Sequence, residues 1–296
     1  MSTATLEGRD TQVFDAFQTR IIAALEAVDG GAFQRDAWTR PSGQGLSTVL
    51  EDGAVIERGA VLVSHIGGAA LPASATAKRP HLAGSAYTVS GVSVVVHPRN
   101  PHAPTAHMNV RRFVTDTETW VGGGMDLTPY LLYPEDAVLF HRAARDAVGW
   151  ARYADWKRDC DTYFHLPHRQ EARGVGGVFF DDLTDPDGLT LLERVVNAFV
   201  AAYTTILERR KDTPYTEQDR AWQLQRRGRY AEFNLVWDRG TAFGLKGGGR
   251  TQSILASLPP LATWAYEDME PATERQRALL EVVHATRDWL EPVQHV

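Results

Sequence analysis

Two glycine triplets, Gly122-Gly123-Gly124 and Gly247-Gly248-Gly249, accompany a stretch that carries His107, Asn109, Arg111 and Arg112. A charged side chain follows each triplet almost at once, Asp126 after the first and Arg250 after the second. Glycine lets backbone N–H groups approach a ligand closely, and arginine forks grip carboxylates with two parallel hydrogen bonds. The combination points to a pocket for an organic polyanion. A lone triplet is more simply a tight turn, but two of them flanked by charge favour a binding role. Arg169, Arg173, Arg226, Arg227 and Arg229 extend the basic set toward a multiply carboxylated ligand, although Arg226 to Arg229 read equally well as solvated surface charge. Asp126 precedes Leu127-Thr128-Pro129, so its carboxylate either caps the next turn or serves as a buried base; residue types alone leave the two level. Asp181 and Asp182 are the remaining acidic candidates.

The histidines His97, His107, His141 and His168 offer either a metal site or proton transfer. Their spacings of ten, thirty-four and twenty-seven residues match no compact zinc pattern, and no HExxH pair occurs, so structural roles are the plain alternative. His107 is the best single candidate for proton transfer, one residue from the Asn109-x-Arg111 face and joined to His97 by a proline-rich loop.

The elements that must position these groups are legible in the apolar periodicity. Val13 to Val28 repeats at helical spacing and stops at Gly30-Gly31. Ser47–Leu50, Ala54–Glu57 and Val61–His65 read as short strands of a meander, with a hairpin signal at Glu51-Asp52-Gly53. Ala86–Val96 is the strongest strand and ends at His97-Pro98; Met108–Thr115 and Thr119–Gly122 are the next two, the latter leading into the first glycine loop. Alternation sets Asn109, Arg111 and Phe113 on one face, with His107, at the strand's start, expected on the other. Helices follow from Pro134 through His141 to Trp150 and over Tyr153–Phe164, then a buried strand at Gly176–Phe180. Leu189–Arg210 and Glu217–Arg226 read as helices, Arg229–Trp237 as a strand, and Thr273–Leu290 as a terminal helix. Strands follow strands without helical crossovers in the first half, which predicts an α+β fold with a large, mostly antiparallel sheet.

Composition sets the outer bounds. The 296 residues are 43% hydrophobic and contain no composition-marked linker, so one domain over 1–296 is expected. A formal charge of -6 argues against a nucleic-acid surface, so an anionic ligand must meet a local positive cluster. Cys160 is the only cysteine, which fits a reducing compartment; no signal peptide or membrane span is recognised, and a cytoplasmic protein is expected. No GxGxxG opens a helix after a strand, and GxxxxGK[ST], CxxC and GxSxG are absent, so neither a flavin nor a nicotinamide site is expected.

Four stretches resemble the signatures of the oxygen-dependent coproporphyrinogen III oxidases. The first is His97-Pro98-Arg99-Asn100-Pro101-His102-Ala103-Pro104-Thr105 running into His107-Met108-Asn109-Val110-Arg111, and the second is Trp120-Val121-Gly122-Gly123-Gly124-Met125-Asp126-Leu127-Thr128-Pro129. The third joins Cys160-Asp161, Tyr163-Phe164 and His168-Arg169 to Arg173-Gly174-Val175-Gly176-Gly177-Val178-Phe179-Phe180-Asp181-Asp182-Leu183. The fourth runs from Arg226-Arg227-Gly228-Arg229-Tyr230 through Glu232-Phe233-Asn234-Leu235 and Asp238-Arg239-Gly240-Thr241 to Gly248-Gly249-Arg250.

The resemblance implies an enzyme that uses O₂ as co-substrate to convert two propionates of coproporphyrinogen III to vinyl groups in haem biosynthesis, releasing CO₂ and giving protoporphyrinogen IX. It implies substrate contacts at Ser93, Asn109, Val110, Arg111, Gly248, Gly249 and Arg250, a proton donor at His107, and a carboxylate at Asp126 that meets pyrrole nitrogens. His97, His107, His141 and His168 match positions proposed as divalent-metal ligands in bacterial members, although the family is regarded as able to work without metal or organic cofactor. It also implies helices on both faces of the sheet and a homodimer, with part of the contact around Tyr230 to Ser257. Gln252 stands where many relatives carry Glu, and Trp120 where others have paired tryptophans. A metal-dependent oxygenase or hydrolase acting on a polycarboxylate, and a non-catalytic tetrapyrrole carrier, are the alternatives.

Overall fold

Alternating apolar residues commit the first half of the chain to one sheet whose two faces differ in kind. The computed structural model describes residues 3–71, 76 and 79–290. After helix α1 (Thr3–Asp29) come β1 (Gln34–Arg40), β2 (Gly43–Glu51), β3 (Ile56–Gly68), β4 (Tyr87–Pro98), β5 (Thr105–Thr115) and β6 (Thr119–Thr128). Helices α2 (Pro134–Val148) and α3 (Trp150–Tyr163) lead through the short pair β7 (His165–Leu166) and β8 (Glu171–Ala172) to β9 (Gly176–Leu183). The chain then runs through α4 (Gly188–Arg210), α5 (Glu217–Glu232), a π turn at Phe233–Trp237, α6 (Arg239–Lys246), α7 (Thr251–Leu255) and α8 (Glu274–His284). The seven-stranded sheet has the order β1-β2-β3-β4-β5-β6-β9, with every neighbour antiparallel. The α+β architecture expected from the sequence is therefore the observed one.

One face is apolar. Val92, Val94 and Val96 of β4, Ala106, Met108 and Val110 of β5, and Val178 and Phe180 of β9 project into the main core. They meet Phe14, Phe17, Ile21 and Leu25 of α1, Phe140 of α2 and the α4 row Leu192, Val195, Val196 and Phe199. Helix α4 is apolar and long enough to cross a membrane by composition, yet its apolar residues Leu191, Leu192, Val195, Val196, Phe199, Tyr203, Ile206 and Leu207 are buried in the stripe that seals this sheet. The other face is polar and only partly covered. Helix α5, started by a Thr216–Asp219 capping box, lies over one end of the sheet, where Gln223 Nε2 donates to the Pro98 carbonyl at 3.0 Å. Helix α7 lies over β2, where Ser253 and Ser47 hydroxyls bond at 2.7 Å.

Several elements differ from expectation. Arg229–Trp237 is the end of α5 and a π turn rather than a strand, because Arg226, Arg227 and Arg229 are buried on a helix by ion pairs that periodicity does not show. Ala54–Glu57 and Val61–His65 merge into the single strand β3, and β1, exposed along most of its length, has no counterpart among the expected strands. The terminal helix stops at His284. The first glycine triplet is not a loop: β6 runs straight through it to Thr128.

Candidate active site on the polar face

Register decides which side chains share the polar face. Ser93 pairs with Asn109, Asn109 with Gly124, Arg111 with Gly122, and His107 with Asp126. Paired residues point to the same side of a sheet, and alternate residues along a strand do too. His107, Asn109 and Arg111 therefore form one row, which corrects the expectation that His107 lies opposite the other two: an even spacing of two residues keeps them together. Val110 is fully buried on the apolar face, so its side chain faces away from this row.

Strand β6 presents Gly122, Gly124 and Asp126 to the polar face, two bare backbone positions and then a carboxylate. Four residues of strand span roughly 13 Å. At the Gly122 end Arg111 Nη2 pairs with Asp181 Oδ1 at 2.7 Å, and Arg111 Nη1 donates to Asn109 Oδ1 at 3.2 Å. Gly122 makes room for that pair, since a Cβ there would stand 2.6 Å from Asp181 Oδ1.

At the other end Asp126 is buried and holds two partners. His107 Nδ1 bonds Asp126 Oδ1 at 2.7 Å, and Arg173 Nη2 donates to Oδ2 at 2.7 Å. Burial alone would raise the Asp126 pKa, but the Arg173 charge and the bonds from His107 and Arg173 outweigh it and hold the carboxyl below its ordinary value. An ionised carboxylate only accepts, so Nδ1 of His107 carries the proton. Nε2 makes no hydrogen bond among the described residues and is left for a ligand. Asp126 is thus a buried acceptor in mid-strand and not a turn cap. Arg173 is fixed by Asn234 Oδ1 at 2.9 Å and by the rings of Phe164 and Tyr230, whose centroids lie 4.1 and 4.5 Å from its Cζ. Phe164 also packs edge-on to His107, and Phe179, paired with Gly124, stacks on Tyr163.

The second triplet is a true turn beside the same face. Gly248 has φ 68°, where a side chain is strained, and its carbonyl accepts from Arg40 Nη1 at 2.6 Å. Arg250 pairs with Asp36 of β1. Ser93, Asn109 and Arg111 lie on the polar face with Arg250 beside them at the β1 edge, giving a basic, hydrogen-bonding surface of the kind a polycarboxylate requires. Arg226, Arg227 and Arg229 belong elsewhere. They are neither solvated nor free for a ligand, being paired with Glu171, Glu57 and Asp268 inside the fold.

A metal centre built from the four histidines is not formed within this chain. His97 is bonded to Thr105 Oγ1 and the Ser257 carbonyl, both at 2.9 Å. His141 is bonded to the Tyr153 hydroxyl at 2.8 Å and the Val175 carbonyl at 3.0 Å. His168 is bonded to Glu232 Oε2 at 2.7 Å and Trp237 Nε1 at 3.0 Å. Three imidazoles thus have both nitrogens committed, and among the described residues no three His, Cys, Asp or Glu side chains are grouped to hold a metal ion.

A family model for coproporphyrinogen III oxidase matches residues 10–289 of the 296. The chain belongs to the coproporphyrinogen III oxidase family. The matched span contains all seven strands of the sheet and every polar-face residue described above. Membership makes the chain an enzyme of haem biosynthesis and implies a propionate-bearing tetrapyrrole as its substrate.

Among the residues that bear on this site, Asp36 and Arg79 carried no sequence signal: Asp36 meets Arg250, and Arg79 meets Asp182 beside Asp181, each across more than a hundred residues. Arg173 was visible as one more basic residue, but its partner Asp126 lies forty-seven positions distant.

Proposed function

We propose that this protein is an oxygen-dependent coproporphyrinogen III oxidase that converts two propionates of its substrate to vinyl groups, giving protoporphyrinogen IX. The observation that carries the proposal is the His107–Asp126–Arg173 arrangement, with a buried, ionised carboxylate and a free imidazole Nε2, set at the end of a bare glycine strand whose other end holds Arg111. Arg111, Asn109 and Ser93 orient one propionate, and Arg250 with the Gly248–Gly249 backbone meets another. Asp126 accepts from pyrrole N–H, which makes the electron-rich ring more reactive toward O₂ at the carbon beside the propionate. His107 Nε2 exchanges the proton needed as peroxide forms and leaves. For each propionate the β-hydrogen and CO₂ are lost, the two electrons reduce O₂, and H₂O₂ is the reduced product. No step is assigned to a metal, because the four histidines do not converge in this chain.

The same proposal treats 1–296 as one domain working in the cytoplasm as a homodimer. Leu235, Val236 and Trp237 of the π turn are exposed, as is Trp264, and Trp264 and His168, the partner of Trp237, both bond Glu232. An apolar patch of this kind is suited to a second copy. Sedimentation should give a dimer, and Trp237→Glu should yield monomer; a wild-type monomer at micromolar concentration would remove this part of the proposal.

The enzymatic test is aerobic incubation of purified protein with coproporphyrinogen III, with and without chelator. Protoporphyrin is expected in both, with one H₂O₂ for each CO₂. Product lost only with chelator would restore the metal reading, and substrate bound without turnover under air would point to a carrier.

A further inference from the structure

Arg111 is not waiting empty for a substrate. Its Nη2 stands 2.7 Å from Asp181 Oδ1, and both side chains are about a quarter exposed, so the pair lies at the surface of the polar face, within reach of a ligand. Asp181 is placed there by a β-bulge. The β6–β9 register slips between Val121 and Gly123, setting Asp181 and Asp182 against the single position Gly122. Asp182 takes φ 58°, uncommon for a residue with a side chain, and its backbone N–H donates to Asp181 Oδ1 at 3.0 Å. Arg79, itself buried, clamps Asp182 from behind through Nη1 to Oδ1 at 2.5 Å and Nη2 to the carbonyl at 2.9 Å. Arg250, at the far edge of the surface, is likewise held by Asp36.

We propose that Asp181 is an internal stand-in for a substrate carboxylate. It holds the Arg111 fork in its binding orientation while the site is free, and yields it when a propionate arrives. The inference rests on the reading of Arg111 as a propionate-binding residue. Two consequences follow from exchanging one carboxylate for another. A ligand lacking the negative charge gains nothing at Arg111, and the affinity for a charged one is reduced by the competition. Asp181 is thereby a positioning and selectivity residue rather than a reacting one.

The test is fluorescence titration with coproporphyrin III, the oxidised ring that does not turn over, and with its tetramethyl ester. Asp181→Asn should bind the tetracarboxylate about two- to five-fold more tightly than wild type, the scale of one partly exposed ion pair. It should bind the ester unchanged. Asp181→Glu, which keeps the charge, should behave as wild type, and the gain should vanish in an Arg111→Gln background. Unchanged or weaker tetracarboxylate binding by Asp181→Asn, or a gain that persists without Arg111, would overturn the proposal while leaving the substrate assignment intact. Wild-type protein that binds no coproporphyrin would defeat both. Asp181→Ser repeats the measurement if the Asn variant does not fold, and unfolding of both would also overturn it, since a group that yields to substrate is not one on which the fold depends.

Discussion

At Asp126, two opposing forces are resolved in favour of charge. Burial disfavours an ionised carboxyl, yet Arg173 and His107 bring the pKa below its usual value, so the group is an acceptor at neutral pH. Asp126→Asn removes that charge at nearly constant shape, taking from His107 the acceptor that fixes its tautomer and leaving Arg173 buried beside a neutral amide. Loss of a positioned proton-transfer group of this kind costs about 100- to 10,000-fold in rate. We therefore expect kcat to fall by at least about 100-fold, with circular dichroism showing the fold retained; wild-type turnover would sink the role. The grouping of His107 with Asn109 and Arg111 follows from strand alternation, because the three differ by two residues each, yet a strand read as starting at Met108 leaves His107 outside it and expected on the opposite face; the strand in fact begins at Thr105. The Arg173 contact was not legible, because nothing local distinguishes an arginine that meets a buried carboxylate from one that meets a ligand.

At the scale of elements, the glycine triplet shows how composition misleads. Three glycines read as a turn, but in β6 they are strand residues whose missing side chains let neighbours approach. A Cβ on Gly124 would lie 2.4 Å from the Val178 carbonyl oxygen and 3.1 Å from Phe179 Cα, both backbone atoms of β9 that have no room to yield. Gly124→Ala should destabilise the protein by about 1–3 kcal/mol, as overpacking does, and lower the denaturant midpoint accordingly. Gly8, in α1 with nothing within 4 Å, is the contrast: its change to Ala should leave the midpoint unchanged or slightly raised. A midpoint for Gly124→Ala equal to wild type would show that β9 shifts easily. The same lesson applies to α5. Tyr230, Phe233, Val236 and Trp237 favour strand by type, but the buried pairs of Arg227 with Glu57 and Arg226 with Glu171 are tertiary, and they hold the segment helical.

For the whole molecule, the order of strands without crossovers was enough to give an antiparallel sheet, whereas β1 escaped notice because an exposed edge strand has no buried face to leave a pattern. What the sequence could not show is how many titratable groups the finished fold seals away. His141 is fully buried; its Nε2–H donates to the Val175 carbonyl, and Nδ1 accepts from Tyr153, which leaves no place for a second proton. Burial, with a smaller push from Lys157, lowers its pKa to about 4, and burial beside Arg227 lowers His97 in the same sense. Between pH 6.5 and about 4 the unfolded chain therefore binds a proton at residue 141 that the native protein refuses. Stability is fully present above pH 6.5 and falls with pH through that window, levelling for this group only below its folded value. At about 1.4 kcal/mol per pKa unit the His141 share is at most about 3 to 4 kcal/mol. Asp126 and Glu232, whose pKa values are depressed, the latter to about 2, extend the loss to lower pH as they protonate. Urea midpoints should drop steadily from pH 7 to pH 4.5 in wild type and less steeply in His141→Gln, which has no charge to gain. Parallel slopes in the two proteins would mean that His141 is protonated in the native state, and with it that the Tyr153 hydroxyl and the Val175 carbonyl have rearranged around an imidazolium.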